Sequence, residues 1–173
     1  MKKYFISFLL LMSICQFSSA ENLKYEKISN EEIIEDSTYK AVAYNFVYDI
    51  IFRDYEKAAS KFNKAAVESF GYSLEEFIQF LKKDDDLDIS DMRLVIPLGY
   101  YPAITTCDEL DTSVYYRSGE VNPVEGLPAM NVRFDCFNEK GKVYDDEFGD
   151  FDTTVRVMLV KEKDGKWKIF GFK

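Results

Sequence analysis

The stretch VRVMLVKEKDGKWKIFGFK, residues 155–173, decides the fold. Residues 153–161 are apolar on both faces, as expected of a strand in the middle of a sheet. Asp164-Gly165 follows, a dipeptide typical of tight hairpin turns, and residues 167–172 return as a second strand. The chain is therefore predicted to end in a hairpin, which implies an antiparallel sheet.

Segments upstream of this hairpin predict the rest of the sheet. Residues 129–138 alternate apolar and polar side chains, which is the period of a strand with one buried face. Residues 94–100 alternate too, with Pro97 favouring an edge or a bulge, and residues 113–117 form a short candidate strand. Together with the hairpin, these segments predict four or five antiparallel strands.

The first half of the chain predicts three helices instead. Apolar residues follow the helical period over residues 39–51, where Asp36 or Ser37 can act as the cap, and again over residues 54–62. A third helix starts near residue 73, because Ser73 and Glu76 stand at the two positions of a capping box. Three N-terminal helices before an antiparallel sheet predict an α+β fold, with the helices covering one face of a curved sheet.

Residues 1–20 have the three regions of a secretory signal peptide in the expected order. Two lysines are followed by an apolar run over residues 5–15, which is shorter than the roughly 20 residues needed to span a bilayer. Residues 18–20 are small, so cleavage is predicted between Ala20 and Glu21. The alternative is an uncleaved N-terminal helix buried in the fold.

Cleavage at this position leaves a charged leader, residues 21–36, and a single α+β domain, residues 37–173. The protein is then expected to be exported, either periplasmic or secreted, with no transmembrane segment in the mature chain. A lipid anchor on Cys15 is not favoured, because Ile14 stands where a lipobox has a small residue.

Charge and the lack of one residue type restrict the function. Removing residues 1–20, which carry two lysines and no acid, takes the net charge from −9 to −11. A charge of this sign repels nucleic acid and anionic membranes; it suits a cationic partner, or it simply keeps the domain soluble. The chain has no histidine, which excludes His-dependent nucleophiles and His-bearing zinc sites in their usual forms. No cofactor is expected.

Two cysteines remain after cleavage, Cys107 and Cys136. An even number of cysteines in an oxidising compartment predicts a disulfide between them. The alternative is two separate thiols, with Cys136 on the apolar face of its strand as an ordinary core side chain.

Two segments resemble the nuclear-transport-factor-2-like superfamily, which includes ketosteroid isomerases, SnoaL-like cyclases and many exported proteins of unknown role. They are FVYDIIFRDYEKAASKF (residues 46–62) and the closing hairpin with its DGKWKI motif. The resemblance implies a cone with a pocket between the helices and a concave sheet. Members of the superfamily include enzymes, ligand binders and docking modules, so the fold does not settle the function. The catalytic positions of the isomerase branch cannot be aligned with this chain residue by residue, so none is carried over.

Four residues are candidates for lining a binding pocket. Tyr44 and Tyr48 lie four apart on the first helix, beside its main apolar stripe, where ordinary packing is the alternative. Arg133 and Asp135 lie on the strand face opposite its apolar residues, where a surface ion pair is the alternative. The acidic run at residues 84–88 lacks the glycine and the glutamate of a calcium loop, so no metal site is expected.

The leading functional hypothesis is a non-enzymatic exported module that binds a small apolar ligand or a protein partner, as a monomer or a homodimer. One alternative is an isomerase-like or cyclase-like enzyme that uses a pocket carboxylate as its base, a reaction that needs no histidine. Another is an immunity or inhibitor protein for an exported toxin. No residue is assigned a catalytic role.

Expression in a host with an active export system is expected to yield a mature chain that begins at Glu21. Intact-mass spectrometry of the exported fraction measures this directly. Ala20→Arg should block processing, because the cleavage site requires small residues, whereas Glu21→Gln, one position beyond, should be cleaved normally. Wild-type protein of uncleaved mass in the exported fraction would contradict the prediction.

Overall fold

The computed structural model describes residues 38–83, 88–115, 121–145 and 152–173. The predicted signal peptide, its cleavage site at Ala20 and Glu21, the charged leader and most of the acidic run lie outside these residues. Within them, helices pack against a four-stranded antiparallel sheet that is not closed, so the predicted α+β fold is confirmed.

The helices come first along the described chain, and their starts follow from local sequence. The Thr38 hydroxyl accepts a hydrogen bond from the backbone N–H of Ala41 at 3.1 Å, so Thr38 is the cap of the first helix. The predicted capping box is confirmed, because Ser73 and Glu76 bond to each other's backbone N–H. The α-helices are α1 (Tyr39–Ile51), α2 (Tyr55–Ser60), α3 (Lys64–Ser69), α4 (Leu74–Lys83) and α5 (Asp88–Val95).

The strands pair in chain order, each antiparallel to the next. They are β1 (Tyr100–Leu110), β2 (Ala129–Asn138), β3 (Val155–Lys161) and β4 (Trp167–Phe172). Val132 on β2 lies opposite Cys107 on β1 and Val157 on β3, which fixes which side chains share a face. The predicted C-terminal hairpin is β3 and β4.

One face of this sheet, called the helix face below, is buried under the helices. Val132, Phe134 and Val157 point to this face and have no exposed surface. They pack with the apolar stripe of α1, which includes Phe46 and Ile50. The other side, called the outer face, has a smaller apolar cluster at one end, built from Ala66, Val124, Ala129, Val160 and Phe170.

The predicted strand at residues 94–100 is wrong. This segment contains the end of α5 and a 3₁₀ turn at Ile96–Leu98, and β1 begins only at Tyr100. The buried side chains of Ile89, Met92 and Val95 recur every three residues, which is helical spacing. Arg93 then fixes the helix in place, because its guanidinium donates two 2.9 Å hydrogen bonds to carbonyls at the end of α1.

A nearly buried ion pair ties α1 to the turn after α2. The Nζ atom of Lys61 lies 2.6 Å from a carboxylate oxygen of Asp49, and both side chains are mostly covered. Burial raises the pKa of Asp49, although Lys61 opposes the shift. Burial of the Asp49 carboxylate therefore costs more than its attraction to Lys61 returns, as is common for buried pairs.

Asp49→Asn is expected to lower the free energy of unfolding by about 2–4 kcal/mol, because it removes the carboxylate that the largely covered Lys61 ammonium contacts at 2.6 Å. Asp49→Asn combined with Lys61→Met should recover most of this loss. Urea unfolding at pH 7, followed through the single tryptophan, gives both values. A double variant as unstable as the single one would show that the pair is not the cause.

Candidate functional site

Tyr44 and Tyr48 form a stacked pair on α1. Their ring centroids are 4.4 Å apart with an interplanar angle of 23°, and Tyr44 also approaches Phe134 of β2 at 6.4 Å. Both are half-buried. The helical spacing of four residues places the two rings one above the other, so the stack follows directly from the sequence.

The stack continues outward to side chains that are exposed to solvent. Phe52, four residues beyond Tyr48, lies 6.0 Å from it between ring centroids and is 71% exposed. Tyr101, near the start of β1, is close enough to influence the Tyr48 hydroxyl electrostatically and is 50% exposed. We call these four residues, Tyr44, Tyr48, Phe52 and Tyr101, the aromatic corner.

The two stacked tyrosines are neutral hydrogen-bonding groups. Burial raises the pKa of Tyr44 and, more strongly, that of Tyr48. A hydrogen bond between the two hydroxyls raises the pKa of Tyr48 further and lowers that of Tyr44, as expected if Tyr48 donates. Neither hydroxyl is activated as a base. Both hydroxyl groups can donate hydrogen bonds to a partner or accept them from it.

A cleft borders the exposed side of this corner. It has a volume of about 260 Å³ and is lined by Gly99, Tyr101, Asn138, Glu139 and Lys140. Two other cavities described in the structure lie on the helices, one of about 470 Å³ beside Phe80 and one of about 240 Å³ beside Leu74. Of the three, only the first contains a residue of the aromatic corner.

Arg133 and Asp135 do not join the tyrosines. They alternate with Val132 and Phe134, so they point to the outer face of the sheet, while the tyrosines lie over the helix face. An Arg133 nitrogen lies 3.3 Å from a carboxylate oxygen of Asp135, and the same oxygen accepts a 2.8 Å hydrogen bond from the Thr154 hydroxyl. The four candidates therefore belong to two separate surfaces.

The predicted disulfide is not supported. Cys107 lies opposite Val132 and Cys136 opposite Pro102, so the cysteines are offset by four positions along neighbouring strands. This offset is about 14 Å, well beyond the Cα separation that a disulfide can bridge. Both are thiols, Cys136 buried and Cys107 half-buried. Burial, aided by the charge of Asp135, raises the pKa of Cys136 to about 12.

Reactive groups are few in the part of the chain that the structure describes. No cluster of three or more potential metal ligands occurs there, and none of those helices is long and apolar enough to cross a membrane. The carboxylates of Asp49 and Asp135, both largely covered, each have a cationic partner. Comparison with protein-family models, curated proteins and solved structures finds no match to this chain.

Sequence reasoning missed two members of the aromatic corner. Phe52 continues the spacing of Tyr44 and Tyr48, so the i, i+4, i+8 series was a usable signal. Tyr101 had no such signal, because it lies in β1, of which the predicted strand at residues 94–100 included only Tyr100. Its electrostatic influence on Tyr48 depends on the tertiary structure.

Under native conditions a thiol reagent is expected to modify Cys107 much faster than Cys136, because Cys136 is buried and its thiolate is disfavoured at neutral pH. Peptide mapping after brief alkylation at pH 8 measures the two rates. Alkylation in denaturant should label both equally. Loss of both thiols on mild oxidation, without a dimer, would instead indicate an internal disulfide.

Proposed function

We propose that this protein is an exported, non-enzymatic binding module that docks a protein partner through the aromatic corner. The observation that carries the proposal is the exposure of Phe52 and Tyr101 beside a rigid pair of stacked tyrosines. Aromatic side chains that are held in place and left open to solvent are the usual anchors of protein interfaces. The signal-peptide pattern supports export.

The geometry favours a protein over a small apolar ligand. Small-ligand pockets usually enclose roughly 300–1,000 Å³. The cleft beside Tyr101 is smaller, at about 260 Å³, and both it and the cavity of about 470 Å³ beside Phe80 are open to solvent. Large aromatic rings fill the space between α1 and the helix face. Phe46 and Phe134 are two of them, and neither has exposed surface. An exposed aromatic surface beside a small open cleft suits a partner that inserts one or two side chains.

Charge suggests the character of this partner. The chain has a net charge of −9 as written, whereas in the cleft next to Tyr101 the charges of Glu139 and Lys140 balance. Long-range attraction would therefore speed the approach of a basic protein, while the apolar rings provide most of the affinity. Binding is expected to weaken with salt mainly through a slower association rate.

The partners of the covered carboxylates favour binding over catalysis. An enzyme that uses a carboxylate base needs a covered acid that faces substrate. Asp49 is held by Lys61, and Asp135 by Arg133 and Thr154. The resemblance to the nuclear-transport-factor-2-like superfamily is compatible with this proposal, because docking modules occur among its members.

Photo-crosslinking in an exporting host tests the corner. A crosslinking amino acid at position 52 is expected to give a discrete adduct with a second protein, and Tyr101→Ser should reduce that adduct by about tenfold or more, as for an interface hot spot. The matched control places the same amino acid at position 70, since Phe70 is also an exposed aromatic residue but lies at the end of α3.

Equal adducts from positions 52 and 70, or none from position 52, would overturn the proposal. An adduct with twice the mass of the chain would assign the corner to self-association and would also overturn docking of a different protein. Circular dichroism of each variant checks that the fold is kept.

A further inference from the structure

A row of cationic side chains crosses the outer face of the sheet. Arg133 on β2 lies directly opposite Arg156 on β3, and Arg156 exchanges two backbone hydrogen bonds with Lys173, just beyond β4. The neighbours of all three point to the helix face, so these side chains share the outer face. Thr106 of β1, opposite Arg133, extends the row by a hydroxyl.

This arrangement is unfavourable without a counter-charge. Directly paired cross-strand residues have Cβ atoms about 4.5–5.5 Å apart, and like charges at that distance destabilise a sheet. Asp135 partly neutralises Arg133. Among the described residues, Arg156 and Lys173 have no acidic side-chain partner, and Asp108, in the adjacent row, lies two strands away from Arg156.

Arg133 also has unused donor capacity. One terminal nitrogen contacts Asp135, and its Nε atom is buried without a hydrogen-bond partner in the described structure. A guanidinium carries five N–H donors and no acceptor. The buried Nε cannot reach a surface ligand, but the terminal N–H groups other than the one on Asp135 remain available. Arginine is the residue that best recognises oxyanions through two parallel hydrogen bonds.

We propose that the row Arg133, Arg156 and Lys173 binds a phosphate group on the outer face of the sheet. With Arg133 compensated by Asp135, two side-chain charges remain, and a phosphate monoester carries about −1.5 to −2 at pH 7, which matches them. The row is separate from the stacked pair Tyr44 and Tyr48, which lies over the helix face, so this site does not depend on the proposed docking function.

Isothermal titration calorimetry with inorganic phosphate, at constant ionic strength in chloride, tests the site. Wild-type protein is expected to bind one phosphate, and Arg156→Gln to weaken binding by at least about tenfold, since charge-assisted hydrogen bonds are the strong ones. Arg156→Lys should retain part of the affinity. Lys163→Gln removes the same charge from the exposed β3–β4 turn and should bind like the wild type.

A second readout separates a site from a general charge effect. In chloride buffer without phosphate, the Arg156→Gln variant should unfold at the same temperature as the wild type or at a higher temperature. The reason is that the substitution removes a like-charge neighbour of Arg133. Phosphate should raise the unfolding temperature of the wild type and of Lys163→Gln, but not that of Arg156→Gln. Equal responses of all three proteins, or no phosphate binding at all, would overturn the proposal.

The phosphate group could belong to a lipid headgroup or to a soluble phosphate, and binding to vesicles distinguishes these two sources. Co-sedimentation with phosphatidic-acid vesicles that free phosphate competes away, and that Arg156→Gln abolishes, would assign the group to a lipid headgroup. Phosphate binding in calorimetry without vesicle binding would assign it to a soluble phosphate. Vesicle binding that is unchanged in Arg156→Gln and insensitive to free phosphate would contradict the site.

Discussion

The contact between residues 61–63 and β4 is the interaction on which the rest of the structure depends. The backbone of this short segment pairs with the outer edge of β4: the Asn63 N–H donates to the carbonyl of Ile169, and the Ile169 N–H donates to the carbonyl of Lys61. It thereby covers the edge of the last strand, whose backbone groups would otherwise be unpaired, and it fixes the helical layer to the sheet.

Each side chain of the same segment serves a different part of the fold. Phe62 lies 5.3 Å from Phe46 of α1 between ring centroids, and it also contacts the rings of Phe77 and Phe172. Lys61 reaches Asp49, while the Asn63 side chain caps α3 and donates to Glu162 at the β3–β4 turn. Helices, sheet and hairpin turn thus meet at three consecutive residues, which keeps the helix face covered.

The sequence predicts elements whose signal is local and misses those whose signal is not. The hairpin, α1 and the capping box of α4 are correct because turn residues, period and caps lie within a few positions of each other. β1 was missed because a bulge at Thr105 interrupts its alternation, and its polar outer residues hide the buried Ile104. The same limit applies to the site: the tyrosine stack follows from spacing, whereas Tyr101 and the Arg133–Arg156–Lys173 row depend on register.

The start of β1 also explains why docking through side chains is physically reasonable at this corner. β1 is an outer strand of the sheet, and outer strands invite pairing with another chain. Here Pro102 lacks a backbone N–H, the bulge at Thr105 distorts the ladder, and Asp108 and Glu109 are exposed and acidic. These features oppose strand addition along β1. Tyr101 lies just before them, so a partner that reaches this edge meets an aromatic ring rather than a row of open backbone groups, and recognition passes to the aromatic corner.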